Sequence, residues 1–258
     1  MKRANKTQFK ILYGSVVSAG LAILSLAGYR LIHDETSTLW LAFSLLTLTA
    51  GSLSLKIPGV NGRVSVSDAV ISLSVLLFGP VLGAVTAALE AVTGSLRCLT
   101  SSRRLEFLLF NVGAMAVSAY SGGMVFSAFQ GRPLFDHGRF TAALVLPGPL
   151  MAFAVTYFAV NTFLVAAASA LDRSAGVLQT WRDGFLWTAV NYLAAAFIAG
   201  MVVQFTNPVT LSVIATLVIG CAVVYLSSRA HIKLAKEVQR LKEQAASAAD
   251  NMNPTIAA

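Results

Sequence analysis

A chain of 258 residues that is 56% hydrophobic and only 12% charged is too apolar for a soluble domain, since soluble domains carry about 25% charged residues. With a mean hydropathy of +0.73, the reading is an integral membrane protein, in which lipid solvates the outer faces of the helices. The net charge of +8 does not imply nucleic acid; short-loop Lys and Arg facing anionic headgroups account for it.

Lys2, Arg3, Lys6 and Lys10 precede a first apolar run, residues 11–32. That run is too long for a signal-peptide core and is read as an uncleaved span. Further runs occupy residues 38–55, 105–128, 141–171, 184–204 and 208–229. Between them, residues 64–96 are apolar but contain Phe78-Gly79-Pro80. Proline removes a backbone donor and clashes with the preceding turn, and glycine tolerates turn geometry. The stretch is therefore either one kinked span or two short helices, 64–78 and 80–96.

Charge decides between these. With a cytoplasmic N-terminus and eight crossings, sixteen of the nineteen Lys and Arg residues fall inside, leaving Arg30, Arg132 and Arg139 outside. With seven crossings, eight fall inside and eleven outside. The positive-inside rule selects eight. The expected fold is all-α: a transmembrane bundle over 1–229 with about eight helices, two of them a short Gly-Pro hairpin, then a cytoplasmic segment over 230–258. Interrupted helices are tolerated where they line a protein-enclosed cavity, so the hairpin is the best pointer to a site.

Small residues recur at contact spacing, as Gly14, Ser18 and Ala22 on the first span and as Gly83, Ala87 and Ala91 after the hairpin turn. Such ladders let helix backbones approach closely. They read as packing within the bundle or as a docking face for another subunit. In the tail, Ser227, His231, Leu234, Val238, Leu241, Ala245 and Ala248 form a heptad seam, expected to be coiled-coil-like and to support a homodimer. A solvated helix with no partner is the other reading of it.

No nucleophile elbow, Walker loop or metal-spaced His/Cys set is present, and Cys98 and Cys221 have no spaced partner. The chain is therefore read as a non-enzyme with no metal and no cofactor. Polar residues inside the spans carry more information. Glu90 stands in mid-span, where acids usually face a cavity or a partner; it reads as a ligand carboxylate, or as a structural residue paired with Arg97. Asn111, Asn161 and Asn191 lie near the ends of three different spans, with Tyr157, Trp187 and Tyr192 nearby. Interhelical hydrogen bonding is their alternative role. Glu90, Asn111, Asn161, Asn191 and Tyr157 are the candidate ligand-binding residues. Asp68, after Ser65 and Ser67, is read as a helix N-cap.

Two resemblances follow from these motifs. Ser65-Val66-Ser67-Asp68-Ala69-Val70 with Leu77-Phe78-Gly79-Pro80-Val81-Leu82-Gly83-Ala84 resembles the S components of energy-coupling-factor vitamin transporters, over residues 38–204. That likeness implies a six-helix core and a small-molecule uptake subunit. The order of the Gly-Pro hairpin, Phe110-Asn111, Val160-Asn161-Thr162, Trp181-Arg182 and Asn191-Tyr192, then a last span entering a charged helix, is similar to bacterial membrane sensor regions. Those regions precede HD-GYP phosphodiesterase, GGDEF cyclase or histidine kinase domains. The likeness implies a multi-pass inner-membrane input module for a small-molecule or lipid ligand. The tail Asn253-Pro254-Thr255-Ile256-Ala257-Ala258 looks like the lead-in to an HD-type domain, but no HD pair and no GGDEF run follows. Any enzymatic output is therefore expected to lie outside this polypeptide.

Overall fold

The computed structural model describes residues 2–33, 40–41, 43–45, 47, 55–56, 63–64, 67–98, 104–130, 135–136, 139–140, 147–205, 237–241 and 244. Two units are distinguished, Met1–Ala215 and Thr216–Ala258. The first is a helical bundle: α1 (Lys2–His33), α2 (Ser67–Cys98), α3 (Arg104–Gln130), α4 (Pro147–Arg173), α5 (Val177–Phe185), a 3-10 turn at Leu186–Thr188, and α6 (Ala189–Phe205). Two short antiparallel ladders, Leu55–Lys56 with Arg63–Val64 and Phe135–Asp136 with Arg139–Phe140, are the strands among the described residues. In the second unit, residues 237–241 and 244 are helical, with Val238 and Leu241 exposed.

Four described helices are long and apolar enough to cross a membrane, and a fifth if α5 and α6 count as one bent span. The chain is thus an all-α membrane protein. The expected spans 38–55 and 208–229 fall wholly or mostly outside the described residues. The expected span 184–204 falls on the bent pair: a 60° bend separates α5 from α6, and the two pass as a span only together. Helix α5 is strongly amphipathic, as suits a segment lying along the interface.

Helix α2 passes as a span by length and composition, yet it does not run straight. Ser67 Oγ lies 3.1 Å from Glu90 Oε1, although 23 residues separate them. A straight helix would hold them about 35 Å apart. Ser74 Oγ and Thr86 Oγ1 meet at 2.8 Å, and Val75 presses on Gly83. These three pairs centre on Gly79, whose φ of 84° and ψ of 178° are non-helical and belong to a region essentially reserved for glycine. The segment is an antiparallel hairpin, as the Gly-Pro signal implies. Its first limb, residues 67–78, rises only about 18 Å, short of the bilayer core.

Protein surrounds that limb. Residues 70–77 are buried without interruption, so it has no lipid-facing side. Backbone carbonyls would be exposed at the turn in lipid, but here the tip sits against α3, where a Cβ on Gly123 would lie 2.8 Å from Pro80. Trp40 donates from Nε1 to Leu82 O at 3.3 Å and Phe43 meets Phe78 edge-on, so the helical residues around 40–47 cover a further side.

Helix α3 is the hub, packed on α2, α4 and α1. Gly20 of α1 and Gly113 of α3 make the close crossing, since a Cβ on Gly20 would lie 2.5 Å from Gly113 Cα. Of the two readings of the α1 ladder, packing within the bundle is not the one this crossing uses. Gly14, Ser18 and Ala22 are exposed, because Val16, Gly20 and Ala27 already occupy the inward face. Gly83, Ala87 and Ala91 do pack inside the bundle.

Candidate functional site

Hairpin closure decides which polar groups meet. Folding at Gly79 brings the start of the first limb, Ser67 and Asp68, beside Glu90 on the second. Ser67 donates its hydroxyl to Glu90, which ties the limbs together at their open end. Asp68 and Glu90 lie within electrostatic reach of each other and of Tyr157 and Tyr192. The closed hairpin thus sets two carboxylates near two tyrosines from α4 and α6.

The tyrosines are fixed by packing. Tyr157 is fully buried, stacks on Phe153 and meets Tyr192 edge-on at 5.1 Å between ring centroids. A second edge contact at 5.6 Å sets Tyr192 against Phe158. Asn161, one turn beyond Tyr157 on the same face of α4, donates from Nδ2 to the Tyr192 hydroxyl at 2.6 Å. The Tyr157 hydroxyl finds the Met115 sulfur at 4.0 Å, a weak acceptor, about halfway along α3. Phe158 and Thr162 anchor α5, whose Trp181 Nε1 donates to Thr162 Oγ1 at 2.8 Å.

Glu90, Tyr157 and Asn161, all candidates from the sequence, thus come together. Asn111 and Asn191 do not join them. Asn111 donates from Nδ2 to Ser95 Oγ at 3.1 Å, fastening α3 to the second limb, and it lines a cavity that none of the cluster residues lines. Asn191 is half-buried and makes no hydrogen bond among the described residues. Neighbouring residues on a helix point about 100° apart, so Tyr192 faces the cluster and Asn191 does not.

Two members were missed. Asp68 was expected as a cap, but α2 begins at Ser67, so Asp68 stands inside the first turn, where the helix dipole favours a carboxylate. Its partnership with Glu90 follows from the hairpin register, which the Gly-Pro position could have supplied. Tyr192 was noted only as a neighbour of Asn191.

Chemically, the cluster offers carboxylate acceptors, phenol hydroxyls and aromatic faces, a set suited to holding a polar solute away from water. It contains no activated nucleophile. Among the described residues, no group of three or more His, Cys, Asp or Glu could hold a metal ion. No protein family, curated protein or solved structure matches this chain.

Proposed function

We propose that this chain is a sensory, ligand-binding input module of the bacterial inner membrane, relaying to a cytoplasmic signalling output. The carrying observation is the contact of Ser67 with Glu90 across the open end of the hairpin, within reach of tyrosines from α4 and α6. A small molecule or lipid bound there touches both limbs and two further helices at once. Its differential affinity for two arrangements of those helices would shift their populations, which is the requirement for a signal.

In this reading the chain crosses the membrane eight times, both termini are cytoplasmic, and the C-terminal helices of two copies pair. The distribution of Lys and Arg supports the topology. Exposed Val238 and Leu241, three residues apart on one helical face, support the pairing. Glu90, Tyr157 and Asn161 bind the ligand, with Asp68 and Tyr192 beside them.

A cysteine crosslink at the tail tests the relay. Leu241→Cys, introduced with Cys98→Ser and Cys221→Ser, gives a symmetric disulfide dimer in membranes. Glu90→Gln changes its yield at least twofold. A dimer whose yield ignores Glu90→Gln contradicts signalling from this site. The second reading, a solute-uptake subunit, draws on the first limb being enclosed by protein, as a solute-capturing hairpin needs. Absence of the dimer together with co-purification of an ATPase decides for uptake.

A further inference from the structure

A cavity lies at one end of the bundle, where the N-terminal parts of α1 and α3 meet the last turns of α4. It has a volume of about 390 Å³ and shares no lining residue with the hairpin-base cluster. That volume falls in the range of small-molecule sites. Its long wall is aromatic: Phe9 stacks on Tyr13 at 6.4 Å, and Tyr13 on Phe110 at 6.3 Å. The ladder is held in place because Phe110 is buried against Val16 and Ala114, with Tyr13 and Ala168 packed around them.

The charged residues of the lining are acidic, beside the hydroxyls of Tyr13 and Ser169. Glu106 of α3 and Asp172 of α4 contribute carboxylates, and Glu106 lies within electrostatic reach of Tyr13. Asn111 has committed one N–H of its Nδ2 to Ser95, which leaves its carbonyl oxygen and its second N–H to offer a ligand. Among the described residues no Lys or Arg lines the cavity; Lys10 and Arg173, next to lining residues in the sequence, are exposed. Aromatic faces carry negative potential, and a cation over them gains most where water is partly excluded. An anion would meet the Glu106 carboxylate and the negative ring faces.

We propose that this cavity binds a monovalent organic cation with a bulky apolar or aromatic body. The apolar body fills the space between α1 and α4, and the charge lies against the ring faces of Tyr13 and Phe110 with Glu106 as its counter-ion. The inference is independent of the role proposed for the hairpin-base cluster.

Tetraphenylphosphonium and tetraphenylborate, nearly identical in shape and opposite in charge, test it. Equilibrium dialysis of the full chain in dodecyl maltoside shows saturable, stoichiometric uptake of the phosphonium ion and none of the borate above the micelle background. Glu106→Gln, at an exposed position that leaves the helix intact, weakens phosphonium binding at least fivefold. Ala168→Leu, which fills the cavity, weakens it further. Absence of saturable uptake, borate binding as tight as phosphonium, or an unchanged affinity in Glu106→Gln would each overturn the assignment.

Discussion

Helices α1 and α2 have nearly the same mean hydropathy over their most apolar windows, 1.8 and 2.1, yet 17% of the first window is buried and 72% of the second. Hydropathy records that a segment avoids water; it does not say whether lipid or protein replaces the water. What separates the two is the placement of polar groups and breaks. Helix α1 is uninterrupted, and its Ser15 bonds back to its own Leu12 carbonyl. The hairpin carries a Gly-Pro break and hydroxyls that bond across its limbs, Ser67 to Glu90 and Ser74 to Thr86. A segment that satisfies its polar side chains on neighbouring chain rather than on itself belongs to the interior.

The largest expected effect sets the two glycine environments against each other. A Cβ at Gly83 would collide with Val75 Cγ2 and lie 2.9 Å from its Cα. Overpacking against backbone is not relieved by a rotamer change, so Gly83→Val should cost about 3 kcal/mol or more. Thermal unfolding in detergent reads this as a large loss of folded protein. Gly14 has nothing within 4 Å, and Gly14→Val should change stability by less than about 0.5 kcal/mol. Equal losses at the two positions would erase the distinction between interior hairpin and peripheral helix.

Next is Gly79→Ala. At φ 84° and ψ 178°, any side chain is strained by about 1–3 kcal/mol, so the hairpin opens at lower temperature. A neutral result would mean that the turn is not built as described. A smaller effect, about 1–2 kcal/mol, is expected for Tyr192→Phe, which removes the acceptor of the Asn161 amide; the same unfolding measurement checks it. Ser18→Leu, on the outward face of α1, should leave the unfolding temperature of the isolated chain unchanged.

These contrasts also mark where the sequence was readable. Gly79-Pro80 announces the break because proline cannot continue the ladder behind it. Glu90 announces itself by the cost of an acid in mid-span. The identity of its companions was not legible, because helical periodicity orients residues on each helix but does not say which helices are neighbours. Asn111, Asn161 and Asn191 are equivalent by that measure. Only packing separates the Asn161 that meets Tyr192 from the Asn111 that fastens α3 to Ser95. Asp68 misleads because Ser-x-Asp at a helix start suits capping as well as a place beside a second carboxylate. The outward ladder of Gly14, Ser18 and Ala22 misleads because small residues alone do not state which partner approaches.

Hairpin closure is the claim on which the site rests, and a disulfide tests it most directly. Ser74 and Thr86, whose hydroxyls are 2.8 Å apart, become Ser74→Cys and Thr86→Cys in a chain also carrying Cys98→Ser and Cys221→Ser. Membranes are oxidised with a lipid-permeable oxidant, and free thiols are counted by mass after denaturation. The hairpin predicts a single intramolecular bond and no free thiol. A continuous helix holds these positions about 18 Å apart, and two free thiols per chain would contradict the account.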